Sequence, residues 1–321
     1  MAHTNNKLST IMKYEKTLAV LAGLTFAGSL AQAQIAVGET LTVSGFADAS
    51  YVNNDDGTET SDFGIDQVEV DLAFSLEAVT AEVHLQTTGG SLTLEQAFAS
   101  TNLGGITVSA GRMLNLLGLE SDEPTNLVTD SWAYSDRFNP TLRYNEGIRG
   151  AFSQGDLSIA ASVTDSYGAV DADAGGDFNE LAFDVAASYS GIENLSVSLG
   201  YATNNAEAAN IANELSLVNI NATYSLGQIN ISGEYSDWEL GAAEEADSYL
   251  IMGTYSVNDD LYLAARYSEV DSNVDANDEE KFTVAAGYDV TDNLQTRVEY
   301  SSAEVGGADD DTFAVQGILN F

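Results

Sequence analysis

Near the carboxy terminus, Phe313, Val315, Gly317, Leu319 and Phe321 fall at every second position, with Thr312, Gln316 and Asn320 among the residues between them. An extended chain sends alternate side chains to opposite faces, so this stretch has one face suited to hydrocarbon and one suited to water. The same period recurs at Leu195, Val197, Leu199 and Tyr201, at Ile229, Ile231, Gly233 and Tyr235, and at Leu294, Thr296, Val298 and Tyr300. Segments of this kind predict a membrane-spanning antiparallel β-barrel with an apolar outside and a wet lumen.

Two kinds of connection separate the segments. Tight ones are Ser190 to Asn194, Leu226 to Gln228, Val257 to Asp260 and Val290 to Asn293, rich in the Gly, Asn and Asp that tolerate turn geometry. Long, acidic ones are expected at 52–63, 165–178, 203–213, 237–247, 269–280 and 302–311, alternating with the tight turns through the second half of the chain. Tyr189, Tyr224, Tyr255 and Tyr288 precede the tight turns, and Tyr201, Tyr235, Tyr267 and Tyr300 precede the long loops. These two sets match the aromatic girdles of the two membrane interfaces.

Counting alternations predicts about sixteen strands, beginning near residues 40, 65, 80, 91, 105, 142, 156, 180, 195, 214, 228, 247, 260, 281, 294 and 312. The connection after the fifth, residues 112–141, is the longest, and it holds both prolines, Pro124 and Pro140. Proline cannot donate to a ladder, which supports a loop there and strands elsewhere.

Residues 12–33 read as an export signal, with Lys13 and Lys16 ahead of an apolar core, Leu18 to Leu30, that is too short to span, and Ala31-Gln32-Ala33 as a cleavage site. The expected division is therefore a signal peptide at 1–33, with Met1 to Ile11 read as either a mis-called start ahead of Met12 or a tag remnant, and one barrel domain at 34–321. No later apolar run is long enough for a transmembrane helix. Without 1–33, ten basic residues lose three and fifty acidic residues lose one, for a net charge of −42. Nucleic acid is excluded as a partner by that charge. The chain has no cysteine, so closure of the sheet, not crosslinking, has to stabilise the fold.

The even strand count, the longest loop in third place among the outward ones, the opening strand Gly45 to Tyr51 and the terminal Phe321 resemble the Gram-negative porins. The stretches Gly111-Arg112-Met113, Gly118-Leu119-Glu120 and Asn126 to Gly147 are most similar to the OmpL-like porin families. The resemblance implies an outer-membrane channel for passive diffusion of ions and small hydrophilic solutes, with residues 112–141 folded into the lumen as a constriction. It also implies contact with outer-membrane lipid and lipopolysaccharide, insertion by the barrel assembly machinery through Phe321 as assembly signal, and a homotrimer. A plugged structural or adhesive barrel and an outer-membrane hydrolase are the competing readings.

Charge is unevenly spread. Four of the seven basic residues of the mature chain, Arg112, Arg137, Arg143 and Arg149, fall in or beside the long loop. Leu142, Tyr144, Ile148 and Phe152 have lipid-facing parity, so Arg143 and Arg149 point inward, as do Arg266 and Arg297 on their strands. Glu146 has outward parity, a conflict that a bulge or a protomer contact would resolve. Opposing the arginines are Glu120, Asp122, Glu123, Asp130 and Asp136 on the loop, and inward Glu69, Asp71, Glu82 and Glu95. Asp48, Asp184, Glu234 and Glu299 share inward parity. Two readings stand side by side: a transverse field across a narrow pore, or ion pairs that tie the loop down. The acidic excess predicts a cation-preferring channel.

Other chemistry is sparse. His84, the one histidine of the mature chain, has inward parity, but no G-x-S-x-G accompanies it, and no enzymatic activity is expected. Acidic pairs such as Asp55-Asp56 and Asp171-x-Asp173 lack the spacing of a calcium loop, so neither metal nor cofactor is assigned.

Overall fold

The computed structural model describes residues 34–321 apart from 89, 142–143, 166–180, 205–214 and 242–243. The expected signal peptide at 1–33, Arg143, and most of the loops expected at 165–178 and 203–213 lie outside the described residues.

The chain is built from strands. In order they are β1 (Ile35–Val37), β2 (Leu41–Asp55), β3 (Glu59–Leu76), β4 (Val79–Thr88), β5 (Ser91–Leu103), β6 (Ile106–Leu114), β7 (Tyr144–Gln154), β8 (Leu157–Thr164) and β9 (Ala182–Ile192). There follow β10 (Leu195–Asn204), β11 (Leu215–Leu226), β12 (Ile229–Leu240), β13 (Glu244–Ser256), β14 (Leu261–Ser272), β15 (Glu279–Thr291), β16 (Leu294–Val305) and β17 (Ala308–Asn320). From β2 to β17 each strand pairs antiparallel with the next, and β17 returns to β2 with Asn320 opposite Phe46 and Asp311 opposite Asp55. Sixteen strands thus close a ring with no free edge, which satisfies every ladder inside the bilayer. The extra strand, β1, is a short flap on β2, Ile35 opposite Val43.

Several outward connections expected as long loops are instead ladder. Residues 52–63, 237–247 and 302–311 fall largely in strands, with Asp55 opposite Glu59 and Val305 opposite Ala308. Above the membrane both faces of a hairpin meet water, so the hydrophobic alternation disappears while the backbone hydrogen bonds persist. Alternation therefore underestimates strand length at that end.

The outer face is as expected: Ile65, Leu92, Ile148, Ile229, Ile231, Phe313 and Leu319 are exposed to it. Tyr189, Tyr224, Tyr255 and Tyr288 lie outward at one end of the strands, and Tyr201 and Tyr300 at the other, where the rings of Tyr235 and Tyr249 pack with centroids 5.3 Å apart. The inner face departs from the expected wet lumen. Leu215, Leu217, Trp238, Leu250, Met252 and Val270 point inward from β11–β14 and are buried. What covers them is the long loop.

Candidate functional site

Between Leu114 and Tyr144 the described loop residues are 115–141, which contain one 3-10 turn, Pro124–Asn126, with proline at its start. Its stems are pinned together. Asn115 donates to the Pro140 carbonyl, and Thr141 Oγ1 donates to the Glu120 carbonyl at 2.8 Å. Gly118 has φ +113°, and a Cβ there would meet Thr141 Oγ1 at 2.0 Å, so the crossing of the stems requires glycine.

From there the loop folds into the barrel. Leu117, Leu119, Ala133, Tyr134 and Phe138 pack on the apolar patch of the wall, with Phe138 edge-on to Trp238 at 6.1 Å. The Trp238 indole donates to Ser248 Oγ at 3.1 Å, so its one polar atom is satisfied. Burial of this cluster favours seating of the loop.

Wall polar groups then close on the loop backbone. Arg266 donates to Glu120 Oε1 at 2.5 Å, to the carbonyls of Ser131 and Trp132 at 2.8 and 2.9 Å, and to Thr129 Oγ1 at 2.9 Å. Arg297 donates to the Pro124 carbonyl at 2.8 Å and the Thr129 carbonyl at 3.2 Å. Glu299 accepts from the backbone N–H of Asp130 at 2.6 Å and from Ser131. Asp184 accepts from the Leu116 N–H at 3.1 Å, and Arg137 donates to Glu244. Both wall arginines are fully buried. Of the two readings of the charges, tying down the loop is thus the one that describes Arg266 and Arg297.

The acidic side is different. Glu69, Asp71, Glu82, His84 and Glu95 stand on the inner face of β3–β5, and Glu123 of the loop reaches them. His84 Nδ1 lies 3.4 Å from Glu69 and 3.3 Å from Asp71, and Nε2 lies 3.4 Å from Glu82. Burial, reinforced by Asp122, Glu69 and Glu95, pushes the Glu123 carboxyl well above its ordinary range. Asp130 is pushed up to about 6 by burial and by Glu299, against the pull of Arg297.

Some expected placements change. Arg112 is in β6, outside the loop, opposite Glu146 of β7 and Ala97 of β5. That register puts Arg112 and Glu146 on the face of Ala110 and Ile148, the outer one, so opposite charges stand side by side and no bulge interrupts β6 and β7 there. Tyr144 is not lipid-facing: at the loop's exit its hydroxyl donates to Asp122 Oδ2 at 2.8 Å. Arg149 does face inward, its Nε donating to Ser162 Oγ at 2.9 Å. Asp136 is exposed on the loop. Of the inward acids, Asp48, Glu69, Glu95, Asp184, Glu234 and Glu299 are buried, whereas Asp71 and Glu82 keep contact with solvent. The apolar seat for the loop is what alternation missed. Inward Trp238, Leu217 and Leu250 carried the signal, because a lumen-facing position that is apolar must be covered by something.

A closed sixteen-strand barrel with a loop folded inside can be set beside known proteins. The model of the Gram-negative porin family matches residues 17–308. The chain belongs to the Gram-negative porin family. Among solved structures this porin is similar to the outer membrane channel DcaP of Acinetobacter baumannii, at 12% identity and TM-score 0.65, over 94% of this chain and 100% of that one. It is also similar to the trimer form of OmpT, an outer membrane protein of Vibrio cholerae, at 12% identity and TM-score 0.63, covering 88% and 99%. A mutant of the Rh. blastica porin aligns at 16% identity and TM-score 0.61, covering 88% and 100%. No curated protein matches the sequence. The porin therefore resides in the outer membrane of a Gram-negative bacterium, embedded in lipid through its apolar belt.

Proposed function

We propose that this porin is a water-filled, cation-preferring channel for passive diffusion of ions and small hydrophilic solutes, narrowed by the part of the expected 112–141 constriction that lies in the loop, residues 115–141. The observation that carries the reading is the course of the loop, from the apolar wall of β11–β14 to the acidic wall of β3–β5 inside the barrel. Fixed charge supports the cation preference. Arg266 and Arg297 are consumed in holding the loop and Arg137 is engaged by Glu244, whereas Asp71, Glu82 and Asp136 retain solvent contact. The sequence as a whole carries −40. An acidic lining concentrates cations at low ionic strength. His84 is ringed by carboxylates, an arrangement that holds the imidazole and presents no activated nucleophile, so transport is favoured over hydrolysis. The trimer form of Vibrio cholerae OmpT supports a homotrimer here, and Phe321 is proposed as the residue that the assembly machinery reads.

Planar-bilayer recording of the refolded mature chain under a gradient of dilute potassium chloride tests the reading. The expected reversal potential has the cation-selective sign. An anion-selective sign would overturn the charge argument, and negligible conductance would point to a plugged barrel.

A further inference from the structure

Apart from the anchors of the loop, the inner face of β3–β5 holds polar atoms that the protein itself does not satisfy. One ligating atom from each of Glu69, His84, Glu95 and Glu123 lies within 4.8 Å of every other. Three belong to the wall and the fourth to the loop. Glu95 is 6% exposed; its Oε1 accepts from Gln86 at 2.8 Å, but its Oε2 is buried with no hydrogen-bonding partner. Glu123 Oε2 is in the same condition, and the nearest neighbours of His84 Nδ1 are carboxylate oxygens of Asp71 and Glu69 at 3.3 and 3.4 Å. One imidazole stands here against three carboxylates, and burying carboxylate oxygens in such excess is costly, so a group of this kind calls for a cation.

We propose that Glu69, His84, Glu95 and Glu123 bind one divalent transition cation that clips the loop to the barrel wall. An imidazole nitrogen among carboxylates suits a borderline ion such as zinc, whereas calcium and magnesium take oxygen ligands. With the four ligand atoms no more than 4.8 Å from one another, an ion central among them sits within about 2.9 Å of each, and side-chain shifts of less than about 1 Å reach the ~2.0–2.2 Å of zinc to nitrogen and oxygen. His84 is oriented for the role. Its Nδ1 faces Glu69 while Nε2 lies 3.4 Å from Glu82 Oε2. A ligating imidazole whose other N–H points at a carboxylate has its tautomer and ring plane fixed. The third wall ligand comes from an irregularity: His84 pairs with Gln96 and Leu85 with Leu94, so Glu95 is the extra residue of a bulge and turns inward beside Gln96.

This site does not depend on the channel reading, because binding is measured without transport. Equilibrium dialysis of the folded full chain in detergent against zinc, with magnesium in excess to occupy loose sites on the acidic loops, should leave one tightly held zinc per chain. Binding should weaken about tenfold or more in Glu123→Gln and in His84→Gln, and stay unchanged in Asp292→Asn on a tight turn. Folding of each variant is checked by its heat-modifiable band, and Glu123→Gln decides the matter if His84→Gln does not fold. Zinc fully displaced by magnesium, or held equally by wild type and Glu123→Gln, would overturn the site.

Discussion

Gly45 lacks a side chain because the Glu69 carbonyl and the Phe321 ring occupy the space. The two residues exchange backbone hydrogen bonds of 2.9 Å in both directions, and a Cβ on Gly45 would lie 2.9 Å from Phe321 Cζ and 2.1 Å from the Glu69 carbonyl oxygen. Gly45→Val is therefore expected to destabilise the closed barrel, by about 1–3 kcal/mol for overpacking of this kind, read as a lower temperature for loss of the heat-modifiable band. Removing Phe321 should reduce the amount of folded protein in the outer membrane, and unchanged abundance would exclude it as an assembly signal. At this scale alternation already placed much. Arg266, Arg297 and Glu95 were all legible as inward-facing. Their partners were not: Glu120 is 146 positions from Arg266 and Pro124 is 173 from Arg297, and no local pattern encodes a pairing over such distances.

The element that matters most is the loop between β6 and β7. Its existence was legible in the two prolines and in the gap between periodic segments. Its seat was not, because a lumen was expected to be polar throughout. Trp238 is completely buried beneath it, and Trp238→Ala is expected to cost about 3–5 kcal/mol of docking, measured as faster protease cleavage within 115–141 while the barrel stays heat-modifiable. Cleavage at the wild-type rate would show that the apolar cluster does not hold the loop. Excising about ten residues around Pro124 should raise single-channel conductance. The barrel should survive, since Arg297 and Glu299, buried now, would then meet water and not an apolar void. Conductance equal to that of the intact chain would place the loop outside the ion path.

At the scale of the molecule, net charge and closure act together. The lining and outer hairpins are acidic, and their field extends over a Debye length of about 10 Å at 0.1 M salt but only about 3 Å at 1 M. Cation preference should thus be strong in dilute salt and fade in concentrated salt, as read from reversal potentials at fixed gradient ratio; a preference constant with salt would assign selectivity to a local binding site instead of the summed field. The sequence by itself determined the barrel, its even number of spanning strands, its tyrosine girdles and its lipid-facing surface. Each of these follows from the period of two and from turn chemistry, which are local properties of the chain. Only the tertiary structure decided that the hairpins continue as ladder above the membrane, that one wall of the lumen is apolar, and that Glu123 meets Glu69, His84 and Glu95. Those outcomes depend on where closing the ring brings distant segments together. Alternation tells which face a side chain occupies and is silent on what will stand opposite it.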